Sequence, residues 1–174
     1  MTMASPKAGE FLEMTSTSVP DGFAGLYAQH YRAVFRAALR VTGNPADAED
    51  VLQTVFLRVL GQREPDDAAR RPPAYFRRAA VNAAVDLLRR RAAHGETAYD
   101  EGAPGTGVEP PLLLKERLRR AVATLQSDDA TLFLLRHVEG LSIDELAELF
   151  QLQKNNVTVR LHRIRMRLQA EMER

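Results

Sequence analysis

The stretch Leu141–Met166, LSIDELAELFQLQKNNVTVRLHRIRM, decides which fold the rest of the chain must support. Ser142 followed three residues later by Glu145 is a capping box, in which each side chain satisfies a free backbone donor of the other residue. It starts a helix whose apolar face is Leu146, Ala147, Leu149 and Phe150, with Ala147 small enough to let a crossing helix approach. A second helix begins near Asn155 or Asn156, either of which can cap it, and turns Val157, Leu161, Ile164 and Leu168 inward. Between the two stands Gln151, where such a turn commonly uses glycine because the backbone there is left-handed. The pattern is that of a helix-turn-helix, whose second helix enters a DNA major groove by its N-terminal end. Its outward positions, Asn155, Asn156, Thr158, Val159, Arg160, His162, Arg163 and Arg167, are the candidate DNA contacts. A solvated basic helix in an ordinary bundle has the same spacing, so this stretch alone leaves both readings open.

Charge elsewhere in the chain bears on that choice. The 174 residues carry a formal net charge of only +1, but it is unevenly distributed. Pro72–Arg91 holds five arginines against Asp86 alone, and Lys154–Arg174 holds one lysine and five arginines against two glutamates. Between them, residues 92–111 hold four acids and no lysine or arginine. Two basic segments on one tethered chain suit a long polyanion, because a tether raises effective concentration without new contacts.

Upstream, the apolar positions Phe23, Leu26, Tyr27, His30, Tyr31, Val34, Phe35, Ala38 and Leu39 recur at steps of three and four, which predicts a first helix. TGNP ends it: Gly43 suits a C-terminal cap, and Asn44 with Pro45 opens a second helix. That helix aligns Val51, Leu52, Val55, Phe56, Val59 and Leu60, with Asp47, Glu49 and Asp50 in its first turns, where negative charge suits the helix dipole. After a proline-bearing loop, AYFRRAAVNAAVDLLRRR predicts a third helix that buries Phe76, Ala80, Ala83, Ala84, Leu87 and Leu88. It presents Arg77, Arg78, Asn82, Asp86, Arg89 and Arg90. The boundaries are a flexible N-terminal arm at 1–20, a first helical module at 21–92, an acidic flexible linker at 93–111 and a second helical module at 112–174. The expected fold is all-α, with two small helical domains and no alternating strand pattern.

Composition excludes several classes. Without cysteine there is no disulfide, no thiolate-held zinc and no thiol nucleophile. The four histidines never pair at one-turn spacing, so no metal site is expected, and they read as surface residues. No apolar run reaches the roughly 20 residues that cross a bilayer, and no leader-like segment opens the chain, so a soluble, unexported protein is expected. Asp47, Glu49 and Asp50 offer carboxylates, but no nucleophile, phosphate-cradling glycine loop or metal spacing accompanies them, and neither an enzyme nor a cofactor or small-molecule substrate is expected.

Three segments together carry a family resemblance. FAGLYAQHYRAVFRAALRVTGNPADAEDVLQTVFLRV, AYFRRAAVNAAVDLLRRR and LRHVEGLSIDELAELFQLQKNNVTVRLHRIRMRL resemble region 2, its continuation and region 4 of the bacterial sigma-70 RNA polymerase sigma factors, in the small extracytoplasmic function (ECF) group. The resemblance runs from about Phe23 to Leu168. It implies a region 2-like bundle and a region 4-like helix-turn-helix, with core RNA polymerase and promoter DNA as partners. It places Asp47, Glu49, Asp50, Gln53, Phe56 and Arg58 on the polymerase-binding surface. It places Arg77, Arg78, Asn82, Asp86, Arg89 and Arg90 on the minus-ten element, and the outward face of the last helix on the minus-thirty-five element. It further implies control by an anti-sigma factor, often membrane-bound, acting on a cytoplasmic protein that such a factor holds at the inner membrane. Gln151, Gln153, Asn155 and Asn156 depart from the usual Gly, Pro and Gly-Thr of region 4. They motivate a second reading, a sigma-like adaptor whose helix-turn-helix docks a protein partner.

Overall fold

The computed structural model describes residues 22–61, 71–94 and 111–173, which form seven helices. They are α1 (Phe23–Thr42), α2 (Pro45–Leu60), α3 (Pro73–His94), α4 (Pro111–Thr124), α5 (Ser127–His137), α6 (Ile143–Phe150) and α7 (Lys154–Met172). The expected arm, the loop at 62–70 and residues 95–110 of the expected 93–111 linker lie outside the described residues, while the two ends of that linker belong to helices, Ala93 and His94 to α3 and Pro111 to α4.

Local chemistry sets the helix boundaries in the first module. Gly43 takes the left-handed conformation at φ 70° and donates its N–H to the Leu39 carbonyl at 2.8 Å, closing α1. Asn44, in extended backbone, accepts the Ala46 N–H at 2.9 Å and opens α2 behind Pro45. The apolar stripes of α1, α2 and α3 then meet around Phe23, Val34, Val55, Phe56 and Phe76. His30 corrects the surface reading of the histidines. Only 4% exposed, it stacks on Phe76 with ring centroids 4.0 Å apart, and burial pushes its imidazole pKa down.

The turn between α6 and α7 forms despite its missing glycine. Gln151 is the only non-glycine residue with positive φ among the described residues, at φ 54° and ψ 44°. Its N–H donates to the Glu148 carbonyl at 3.2 Å and that of Leu152 to the Ala147 carbonyl at 2.9 Å, the paired bonds of a Schellman motif. The left-handed side chain costs roughly 1–2 kcal/mol, of which glycine would lose part again to backbone freedom in the unfolded chain. Gln151→Gly is therefore expected to stabilise the protein by about 0.5–1 kcal/mol. A denaturant titration checks this, and a loss of stability would show that the Gln151 side chain contributes more than its strain.

α3 holds the molecule together because both of its sides are used. Phe76, Ala80, Ala83 and Ala84 face α1 and α2, as the period predicts. Val81 and Val85, which the single-stripe reading leaves out, are also fully buried. At about 100° per residue, Arg78, Asn82, Val85 and Arg89 form a second stripe on the opposite side, and against it pack α4, α5 and α6.

Candidate nucleic-acid interface

α7 presents the outward face that its spacing predicts. Asn155, Asn156, Thr158, Val159, His162, Arg163 and Arg167 are exposed, and Val157, Leu161, Ile164 and Leu168 are buried. Its start differs from expectation. The helix opens at Lys154 behind Gln153, whose extended backbone makes it the N-cap without a side-chain bond, so Asn155 and Asn156 sit in the first turn and cap nothing. Lys154 Nζ, at the first position of the helix, lies 2.9 Å from Asp144 Oδ1 on α6, an exposed pair between the two helices of the motif. Thr158 turns its hydroxyl back to the Lys154 carbonyl at 3.1 Å. Arg160 is half-buried and bonds Asp129 Oδ1 on α5 through Nε at 2.5 Å, while Arg167 lies 3.8 Å from Asp129 Oδ2. Arg160 therefore corrects the reading that grouped it with the outward contacts, because its guanidinium is turned to α5. Arg163, between them in the helix, forms no ion pair among the described residues. An open cleft of about 800 Å³ separates this face from the start of α5.

On α2, two residues assigned to an outward surface are interior. Asp47 has a side chain only 3% exposed and makes a two-pronged ion pair with Arg91 near the end of α3, one prong at 2.5 Å. Phe56 is fully buried among Phe23, Tyr27 and Phe76. Their positions follow from the apolar stripe that already held Phe56, and from a cation 44 residues further along the chain that draws Asp47 inward. Asp50, Gln53 and Arg58 are exposed and Glu49 is half-buried. Leu57, which the sequence reading passed over, adds an apolar side chain at 52% exposure to this acidic and polar face.

On α3, the polar residues divide. Arg90 is open to solvent. Arg77 stands close enough to Glu145 on α6 to help hold its carboxyl below the usual range, after the larger effect of hydrogen bonds from Ser142. Arg78 donates to the Leu149 carbonyl at 2.6 Å and lies over the Phe150 ring, 4.1 Å from its centroid. Asn82 Oδ1 accepts from the Thr131 hydroxyl. Arg89 donates to the carbonyls of Ala123 at 3.3 Å and Leu125 at 2.5 Å. Asp86 lies 3.5 Å from the Ser127 hydroxyl and 4.0 Å from Arg58. From the other direction, Arg119 on α4 donates to the Val41 carbonyl at 2.9 Å, and Arg40 pairs with Glu139 at 3.0 Å. Gly43 makes room for this, since a Cβ there would stand 2.1 Å from Arg119 Nη2. Arg91, Arg119, Asp129 and Thr131 were not legible as interface residues, because each partner is more than thirty positions away in the chain.

An all-α chain with a basic, exposed recognition helix after a tight turn, beside a second helical module with its own arginine-rich helix, is a two-module DNA-binding protein. Its residues 26–94 match the model of Sigma-70 region 2, and residues 115–168 that of Sigma-70, region 4. The RNA polymerase sigma-E factor of Streptomyces avermitilis is 30% identical over 81% of this chain and 79% of its own. The RNA polymerase sigma factor CarQ of Myxococcus xanthus is 30% identical over 87% and 90%, and the ECF RNA polymerase sigma factor SigW of Bacillus subtilis 25% over 87% and 89%. The chain belongs to the sigma-70 family of RNA polymerase sigma factors, in its ECF group. It is a transcription initiation factor that binds core RNA polymerase and promoter DNA, and it is not an enzyme.

Proposed function

We propose that three surfaces divide the work of this sigma factor. The exposed face of α2, with Glu49, Asp50, Gln53, Leu57 and Arg58, docks on core polymerase. Acids beside an exposed leucine make a poor DNA surface and a good one for a basic protein partner. Arg77, Arg78, Asn82, Asp86, Arg89 and Arg90 of α3 serve the minus-ten element, and melted bases are within the chemistry of an asparagine flanked by arginines. The outward face of α7 reads the minus-thirty-five element, with His162 and Arg163 as base contacts and Arg167 on phosphate. The observation that carries this reading is the α7 face itself: Asn155, Asn156, Thr158, His162, Arg163 and Arg167 are exposed together, interrupted by the apolar Val159, with Arg163 free of ion pairs among the described residues.

The test is promoter-specific transcription reconstituted with core polymerase. Arg163→Ala is expected to cost about 1–3 kcal/mol of discrimination at the upstream element while polymerase binding stays at its wild-type level. Unchanged promoter selectivity with a protein partner lost would favour the adaptor reading instead. Such a factor works in the cytoplasm beside polymerase. No described helix is long and apolar enough to cross a membrane, so retention at the inner membrane would fall to an anti-sigma factor that binds it.

Asp129 sets how many cations α7 offers to DNA. Its carboxylate, only 13% exposed, occupies Arg160 and competes with phosphate for Arg167. Asp129→Asn is expected to strengthen binding of the full chain to non-promoter duplex and to steepen its salt dependence by about one unit of slope. Fluorescence anisotropy at several salt concentrations measures both. An unchanged slope would mean that Arg167 reaches phosphate whatever stands at position 129.

A further inference from the structure

We infer that Val159 reads a thymine in the upstream promoter element, by packing its side chain on the C5-methyl group that thymine presents in the major groove. The inference rests on the assignment of the α7 face to that element made above, and it adds a base preference that His162 and Arg163 do not supply.

Val159 is an apolar residue that the fold does not use. Its 49% exposure contrasts with Val157, Leu161, Ile164 and Leu168, the inward stripe of the same helix, each 9% exposed or less. Helix propensity does not explain it either, since a β-branched residue at an open helical position is less favourable than alanine. At about 100° per residue it stands at the centre of the exposed face, with Asn155 and Asn156 one turn before it and His162 and Arg163 one turn after. It also lines the open cleft of about 800 Å³, in company with Asn156, Arg163 and Arg167.

The chemistry of those neighbours selects the occupant. A protein partner would bring an apolar core to the contact, and a single isopropyl group ringed by amides, an imidazole and a guanidinium offers it too little. The edge of a base pair is the matching surface, because thymine carries one methyl group among hydrogen-bonding atoms in the major groove. Asparagine is suited to the adenine edge, so Asn156 beside Val159 favours an A·T pair at this point. Valine also suits the task mechanically. In a helix its χ1 keeps one rotamer about 90% of the time, so its methyl groups are presented without the entropy loss that a longer apolar side chain suffers on docking. Met166, 52% exposed on the same side of α7, stands two turns or about 10 Å further on, away from the end that enters the groove.

The test uses the full chain assembled with core polymerase. Duplexes randomised through the upstream element are selected for binding, and in the selected duplex each thymine is replaced singly by deoxyuridine, which keeps the base pair and removes only the methyl group. At least one such replacement is expected to weaken binding about three- to fourfold in competition, the factor for one methyl-sized group returned to water. With Val159→Ala the same replacement should have no effect, and with Met166→Ala the full factor should remain. Alanine raises helix propensity at this open position, so a change seen in Val159→Ala is not a loss of folding. A selected site at which no methyl group matters, or a methyl effect that persists in Val159→Ala, would overturn the inference while leaving the helix-turn-helix reading intact. An effect lost equally in Met166→Ala would also overturn it. Selection of no upstream sequence at all would overturn the assignment of α7 on which it stands.

Discussion

Replacing Phe56 with alanine is expected to lower stability by about 3–5 kcal/mol, and polymerase binding should fall only as far as the folded fraction does. The side chain is fully buried where α1, α2 and α3 meet, with ring centroids 4.7 Å from Tyr27, 6.0 Å from Phe23 and 6.4 Å from Phe76. Its removal leaves a cavity that three fixed aromatic rings cannot close, so the cost lies in the transfer of the ring and in the void together. For a chain of this size the loss corresponds to a fall in Tm of about 6–20 °C. Phe56→Leu keeps most of the volume and should cost under about 1.5 kcal/mol, with polymerase binding retained. If Phe56→Ala melted at the wild-type temperature and bound no polymerase, the residue would be a surface contact after all.

The second large effect is at Asp47. Asp47→Ala is expected to cost about 2–3 kcal/mol, because it removes a buried carboxylate and leaves the Arg91 guanidinium without its partner. The value sits below that of a fully buried pair because Arg91 is one-third exposed and water screens it there. The pair joins the first turn of α2 to the last turn of α3, so its loss uncouples those two helix ends. A double-mutant cycle with Arg91→Ala isolates the coupling, expected at about 1–3 kcal/mol. Strict additivity of the two substitutions would show that the pair contributes no net stability, and that Asp47 acts only through the dipole of its own helix.

Much of the fold was legible because its signals are local. The glycine cap after α1, the Asn44–Pro45 start of α2, and the Ser142–Glu145 box each depend on residues at most four apart, and each forms as read. Even the glycine-free turn at Gln151 was readable, since a packed module absorbs a strain of about 1 kcal/mol. The candidate surfaces were only partly legible. Exposed Asp50, Gln53, Arg58, His162 and Arg163 stand where a helical wheel puts them. The wheel failed at Asp47 and Arg160, where a distant opposite charge draws a polar residue out of solvent, and at α3, where it allows one buried side and the structure has two.

The sequence by itself determined that the chain is helical, where most helices start and stop, and that its last helix belongs to a helix-turn-helix. Periodicity and capping act over one or two turns and are written into neighbouring residues. Only the tertiary structure decided which polar side chains remain free. Asp47 meets Arg91 across 44 positions, Arg160 meets Asp129 across 31, and Asn82 meets Thr131 across 49. Such pairs depend on the angle at which one helix crosses another, and packing of whole faces, rather than the spacing within any one of them, sets that angle.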